Sequence, residues 1–240
     1  MTITPEQAAH ELRDVIVNAP AKVMMEPANY ARGAELGFEG MDFYFAGRGG
    51  VLGDVSAGVL TAALVFFEPT TVFTCWERSA AVMTRREAAE TWASVFHGWA
   101  TENFPEDRDW EWCSDALRRV IDAAFVAGAP LFAGWCDLPA PEDPRALAMH
   151  QLNALRELRG GLHGAAVLTV GLRPVEAITV RTPNMLGVYG WPDESLDPEP
   201  LHQRWGLAEA RTDRMFGRAL AVLDDDTRAR LVEFLGTLAT

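Results

Sequence analysis

The chain has 240 residues, of which 49% are hydrophobic, and it carries a formal net charge of −13. This length and composition are typical of a globular protein and exclude a disordered chain. The acidic balance argues against tight binding to nucleic-acid phosphates, because like charges repel.

The compartment is predicted from what the sequence lacks. The longest apolar stretch, residues 51–67, contains Asp54, so we expect no membrane insertion. The N-terminal TPEQAAHEL has neither the basic start nor the apolar run of a signal peptide. The three cysteines, which form no CxxC pair, are Cys75, Cys113 and Cys136. We therefore expect a cytoplasmic protein with reduced thiols, without a zinc ribbon or a disulfide framework.

Capping residues and prolines predict the helices of the first half. The predicted helices span residues 6–17, 24–34, 55–66 and 84–102. Pro20 is expected to end the first of them, and Asp54 is expected to cap the third. Thr84 and Glu87 form a capping-box pattern at the start of the fourth. Residues 41–45 fit either a short helix or an extended piece.

The second half has the same character. The predicted helices span residues 110–126, 144–170, a short stretch from Pro174, 201–223 and 227–238. A proline-rich connector is predicted at 130–144 and irregular structure at 182–200. Residues 70–75 and 177–181 are the strand candidates. The fold class is therefore predicted to be all-α and multi-helical, with at most a minor β hairpin. The chain is expected to form one domain, or two subdomains at 1–129 and 145–240 that are joined by the connector.

A cationic stripe is the strongest candidate for a site. At about 100° per residue, Arg156, Arg159 and His163 fall within an arc of about 60° on one helix. Gly160, Gly161 and Gly164 flank them, and glycines inside a helix often mark a close approach by a neighbour or a ligand. Two guanidinium groups and an imidazole on such a surface could hold a carboxylate or a phosphate.

A structural alternative explains the same residues about as well. The two arginines of the stripe would then form salt bridges with acids such as Glu157 or Asp137, and His163 would be a buried, hydrogen-bonded histidine. Tyr44 and Arg48 form a second cluster, four residues apart. They share a face if their segment is helical, and they too could simply lie at the edge of the core.

Other chemistry is poorly supported. His150 points to another side of the same helix, and the histidines show no HxxxH or HxxE spacing, so no metal site is predicted. No GxSxG, Walker or dinucleotide motif is present, and no cofactor can be named.

Residues 165–178 have the spacing of a helix-turn-helix, but the second helix would offer residues such as Glu176 to DNA. Because these residues are poor base readers, DNA is not an expected partner.

Three segments of the chain are similar to motifs of a known protein family. They are YFAGRGGVLG (residues 44–53), HQLNALRELRGGLHGAAVL (150–168) and ARTDR (210–214). The chain resembles a family of actinobacterial proteins labelled helix-turn-helix-like. The resemblance implies that ten positions belong to recurring motifs: Tyr44, Arg48, Leu52, Gly53, His150, Arg156, Glu157, Arg159, Gly160 and His163. Relatives carry an acid and a glycine where this chain has Gly161 and Leu162, so any role of that acid is lost here. A helical topology is implied, and DNA binding is not carried over.

Our leading hypothesis is a helical protein that binds or transforms an anionic organic ligand, within actinobacterial specialised metabolism. The ligand-binding residues would be Tyr44, Arg48, His150, Arg156, Arg159 and Gly160, with His163 as the acid/base if a reaction occurs. Trp135, Phe43 and Phe45 are candidates for an apolar wall. The alternatives are a helix-turn-helix-like transcriptional regulator and a non-catalytic partner in a biosynthetic complex, docked through the glycine face. A homo-oligomer is compatible with the sequence.

Overall fold

The computed structural model describes residues 3–192 and 196–238, which form α-helices and short 3-10 turns and contain no strand. The helices are α1 (Pro5–Glu11), α2 (Arg13–Met25), α3 (Pro27–Glu35), α4 (Asp42–Gly49), α5 (Ala57–Ala63), α6 (Pro69–Ser79), α7 (Arg85–Asn103), α8 (Trp110–Ala123), α9 (Pro130–Cys136), α10 (Pro144–Thr169), α11 (Pro174–Arg181), α12 (His202–Leu220) and α13 (Asp225–Gly236). The all-α class is confirmed. Both strand candidates are wrong, because residues 70–75 lie in α6 and 177–181 lie in α11.

The long helix α10 organises the fold. It lies against α2, α7, α8, α9 and α12, so most of its surface is covered. Asp143 caps its first turn by accepting hydrogen bonds from two backbone amides, and Pro144 occupies the first helical position, where a missing N–H is harmless. The core beside it is rich in aromatic residues, including Phe96 and Trp135, whose rings meet edge to face.

Side-chain caps mark the starts of several helices, including α5 and α7. The box formed by Thr84 and Glu87 is present at the start of α7, as predicted. The cap of α5 is Ser56, whose hydroxyl accepts from the amide of Val59, so the prediction of Asp54 is wrong. Ser56 has the extended backbone that a cap needs, two residues closer to the helix.

Two predictions based on proline are also wrong. Pro20 lies inside α2 and does not end a helix there. A proline in a helix removes one hydrogen bond, and burial of Ile16 and Val23 on the same helix offsets that loss. The connector at 130–144 contains α9, because Pro130 occupies the first helical position, where proline favours a helix.

The remaining predictions concern longer segments. Residues 182–200 are mostly irregular around 3-10 turns at Pro183–Met185 and Glu199–Leu201, and 193–195 of this segment lie outside the described residues. No helix in the described part of the chain has the length and apolar character to cross a bilayer. The division into domains stays a prediction.

Candidate functional site

A cavity of about 130 Å³ lies between α4, α10, α11 and the segment that follows α5. Its charged lining residues are Arg48, Arg156, Glu157, Arg159 and Arg181. Its ring-bearing lining residues are Tyr44, Phe66, Phe67, His163, Tyr189 and Trp205. The cavity is thus a small apolar chamber with a strongly cationic side.

Most of the site residues predicted from sequence meet at this cavity. Tyr44 and Arg48 from α4 lie opposite the stripe and Gly160 of α10. His150 does not line the cavity and instead lies on another side of α10, where its Nδ1 is 3.1 Å from Nε2 of His97. The structure therefore joins the two glycine-rich segments into one site and places His150 outside it.

One side of the cavity is organised by a buried carboxylate. Glu157 accepts two hydrogen bonds from Arg48, each 2.8 Å long, and one of 2.9 Å from Arg156. Arg48 also donates to the Tyr44 hydroxyl at 2.7 Å. Burial alone would raise the pKa of Glu157, but Arg48 and Arg156 reverse this and hold it below its usual value. We call these four residues the Glu157 cluster.

The other side is organised by two acids of α12, Glu209 and Asp213. Arg159 lies 2.7 Å from Glu209 Oε2 and 3.5 Å from Asp213 Oδ1, and it is only 4% exposed. Arg13 from α2 bridges the same two carboxylates. Arg181 approaches Glu209 Oε1 to 3.8 Å. Together these residues form the Glu209 cluster, in which Arg159 forms salt bridges with Glu209 and Asp213 in place of the expected Glu157 or Asp137.

His163 lies between this cluster and the cavity. Its Nδ1 is 3.0 Å from Thr212 Oγ1, and the Thr212 hydroxyl donates its proton to the carbonyl of Ala208 at 2.8 Å. Because a hydroxyl has a single proton, donation to Ala208 leaves Thr212 Oγ1 as an acceptor, and in this arrangement His163 carries its proton on Nδ1 and a lone pair on Nε2. Nε2 lies 3.7 Å from Glu209 Oε1.

The protonation of His163 follows from its surroundings. Burial lowers its pKa to about 4, and the positive charges of Arg159, Arg181 and Arg13 act in the same direction. Glu209 opposes this shift without cancelling it. The ring is therefore neutral near pH 7, so it can accept a proton or a hydrogen bond at Nε2, and it is a poor general acid.

A model of a family described as a helix-turn-helix family matches residues 9–240. The chain belongs to this helix-turn-helix family. No curated protein and no solved structure matches it.

In this helix-turn-helix family member, the segment with helix-turn-helix spacing (residues 165–178) consists of the end of α10, a turn at Gly171 and the first part of α11. Gly171 has a φ of +77°, which favours glycine. The second helix is packed against the protein: Val175 and Thr179 are buried, while Ile178 and Arg181 line the cavity. The helix-turn-helix spacing thus builds a wall of the cavity.

The glycines of α10 play different parts. A β-carbon on Gly161 would come within 2.6 Å of the Gly128 carbonyl oxygen, and one on Gly164 within 2.9 Å of Val65. Two of the three glycines are therefore covered by this chain's own loops, which argues against the glycine face as a docking surface. A β-carbon on Gly160 would meet nothing within 4 Å, because Gly160 faces the cavity.

Several residues that line the cavity could not be found from local sequence patterns. The predicted wall of Trp135, Phe43 and Phe45 is wrong, because none of these residues lines the cavity. The actual wall is formed by residues scattered along the chain: Phe66, Phe67, Tyr189 and Trp205. Thr212 and Asp213 had a signal, since both lie in the ARTDR segment. Among the described residues, no group of three or more His, Cys, Asp or Glu side chains could hold a metal ion.

Proposed function

We propose that the cavity binds an anionic organic ligand, with Arg156 and Arg181 as the residues that hold its charge. The observation that supports this most directly is the charge imbalance of the lining, where four guanidinium groups face a single lining carboxylate, Glu157. An anion in a partly buried cationic site forms charge-assisted hydrogen bonds that are stronger than those between neutral groups.

The four arginines are not equally committed to acids. Arg48 is engaged at all three nitrogens by Glu157 and Tyr44, and Arg159 contacts both acids of α12 through Nη2. Arg156 gives Glu157 one hydrogen bond. Arg181 has a side chain that is 33% exposed, and its contact with Glu209 is long, at 3.8 Å. Arg156 and Arg181 therefore make the fewest contacts with acids, one each, against two each for Arg48 and Arg159.

The cavity also limits the body of the ligand. Its volume of about 130 Å³ is close to the roughly 150 Å³ of an engineered apolar cavity that takes up benzene. The rings of Phe66 and Trp205 flank His163 at centroid distances of 5.7 and 5.0 Å. A small aromatic or branched carboxylate matches this combination of size, apolar wall and charge.

Ligand-observed NMR with aromatic and branched carboxylates, each paired with its neutral amide, tests the proposal. We expect acids to bind and their amides to bind at least about tenfold more weakly. Arg156→Met and Arg181→Met should each weaken binding of the acids, while Arg86→Met, which removes an exposed arginine paired with Glu90, should not. Equal binding of acids and amides would contradict the proposal.

Gly160 allows a steric test that leaves every charge in place. Gly160→Leu fills the cavity from its helical wall and should abolish binding without unfolding the protein, since leucine favours a helix more than glycine does. Gly98→Leu is the matched control, because Gly98 is also a helical glycine with open space around it. Unchanged acid binding by Gly160→Leu would place the ligand elsewhere.

The second candidate is a transcriptional regulator, which the description of the family favours. A helix that reads bases needs an exposed face. In α11 and its N-cap, the exposed residues are Arg173 and Arg181, which lie at the two ends, so the helix offers no continuous exposed face to DNA. Fluorescence anisotropy with genomic DNA fragments at low salt distinguishes the candidates, and salt-sensitive binding there would favour the regulator.

Five further expectations stay predictions: the actinobacterial source, the cytoplasmic location, the role in specialised metabolism, any reaction at His163 and a homo-oligomer.

A further inference from the structure

Two buried acceptors face each other beside the cavity. Glu209 is 6% exposed, and its Oε1 has no hydrogen-bond partner among the described residues. The nearest polar atoms given for it are His163 Nε2, at 3.7 Å, and Arg181 Nη1, at 3.8 Å. His163 Nε2 carries a lone pair because Thr212 occupies the other ring nitrogen. The pair therefore lacks a donor, and an unsatisfied buried polar atom is unfavourable.

From this geometry we propose that the ligand is a hydroxy acid, whose hydroxyl donates to His163 Nε2 while its carboxylate lies against Arg156 and Arg181. This inference rests on the proposed function and adds the substrate class to it. His163 lines the cavity, so a hydroxyl in the cavity can approach Nε2 to a hydrogen-bond distance of about 2.8 Å. Its oxygen can also accept a hydrogen bond from Arg181.

The hydroxyl is what distinguishes such a ligand from a deoxy acid of the same shape. A deoxy acid leaves His163 Nε2 without a hydrogen-bond donor, which is unfavourable for a buried polar atom. The site thus favours hydroxy acids over deoxy acids of the same shape.

Thr212 is the positioning residue in this arrangement. Its hydroxyl is directed by the Ala208 carbonyl, so it offers His163 only an acceptor, and the Nδ1–H form of the ring is selected. Thr179 provides a matched control, since it is also buried and its hydroxyl also donates to a carbonyl one turn back, that of Val175, at 2.9 Å. Thr179 does not line the cavity.

The test uses calorimetric titration of the full chain with phenylacetate and mandelate. We expect mandelate to bind about tenfold more tightly than phenylacetate. If phenylacetate binds and mandelate gains nothing, the hydroxy-acid inference is overturned while the proposed function stands. If neither acid binds, the proposed function fails and the inference fails with it.

Two variants connect the preference to its cause. His163→Leu should keep phenylacetate binding and lose the advantage of mandelate, and Thr212→Val should lose most of that advantage, unlike Thr179→Val. Long-range ¹H–¹⁵N NMR reads the tautomer directly and needs no ligand. His163 should carry its proton on Nδ1 in the unaltered protein and change its tautomer balance in Thr212→Val. A proton on Nε2 in the unaltered protein would overturn the inference.

Discussion

The two carboxylate clusters beside α10 differ in how completely their oxygens are used. In the Glu157 cluster, both carboxylate oxygens accept hydrogen bonds, and Arg48 binds them side-on in a bidentate geometry. In the Glu209 cluster, two acids share Arg159 and Arg13, yet Glu209 Oε1 and Asp213 Oδ1 have no hydrogen-bond partner within the described residues.

This difference separates structural from ligand-binding chemistry. A fully bonded buried ion pair rigidifies the site, because each removed partner leaves a charge uncompensated. An open acceptor beside a cavity keeps part of its bonding capacity for something that enters. We infer that the Arg48–Glu157 pair fixes α4 against α10, while Arg156 and the cavity-lining part of the Glu209 cluster, at Arg181, face the ligand.

The largest expected effect comes from breaking the closed cluster. Glu157→Gln removes the carboxylate that holds both Arg48 and Arg156, and it should lower the free energy of unfolding by about 3–5 kcal/mol. Urea denaturation measures this loss. The control is Glu90→Gln, which breaks an exposed pair with Arg86 and should change stability by less than about 0.5 kcal/mol.

The same substitution in the open cluster should be milder. Glu209→Gln removes one acid, but Asp213 still compensates Arg159 and Arg13, so we expect a loss of roughly 2–3 kcal/mol. Urea denaturation on the same scale compares the two variants. A loss as large as that of Glu157→Gln would show that the two clusters do not differ in the way proposed.

A pH dependence sharpens the comparison further. The pKa of His163 is about 4 in the fold and near 6.5 for an ordinary histidine. The unfolded chain therefore binds a proton first as the pH falls, so stability is complete above pH 6.5 and is lost between pH 6.5 and 4. From pH 7 to pH 5 this group should account for a loss of about 2 kcal/mol.

His163→Leu isolates that contribution. Unfolding free energies at the two pH values should differ by about 2 kcal/mol less in the variant than in the unaltered protein. Two other buried histidines, His97 and His150, have pKa values lowered to about 4 by burial, and they remain in both proteins. An identical pH dependence in the two proteins would mean that His163 is not buried in its neutral form.

The sequence predicted which residues lie together on α4 and on α10, but it did not predict the acids of α12 that pair with Arg159. Spacing along one helix placed Arg156, Arg159 and His163 together, and the interval of four residues placed Arg48 beside Tyr44. The partner of Arg159 is fifty residues away on another helix, so no local pattern could identify it. Asp137, the other acid expected near the stripe, forms no salt bridge with the stripe among the described residues.

The helices show the same division between features that local sequence predicts and features that depend on tertiary packing. Helix starts followed from side chains that cap the backbone within a few residues, as at Thr84. The errors at Pro20 and in residues 130–144 arose because a proline can begin a helix or be held within one by packing. The aromatic wall of the cavity depends on how four separate segments meet, which is a tertiary property.

The smallest expected effect tests how the closed cluster holds Arg48. Tyr44→Phe removes the 2.7 Å hydrogen bond from Arg48 and leaves the bidentate contact with Glu157 intact, so it should lower the free energy of unfolding by about 1 kcal/mol. Tyr30→Phe is the control, because the Tyr30 hydroxyl contacts only methionine sulfurs, weak acceptors at 3.7 Å, among the described residues. Anionic probes should bind Tyr44→Phe with nearly unchanged affinity if, as proposed, Arg156 and Arg181 hold the charge. A large loss of affinity in this variant would instead mean that Arg48 and Tyr44 contact the ligand, as Arg156 of the same cluster is proposed to do.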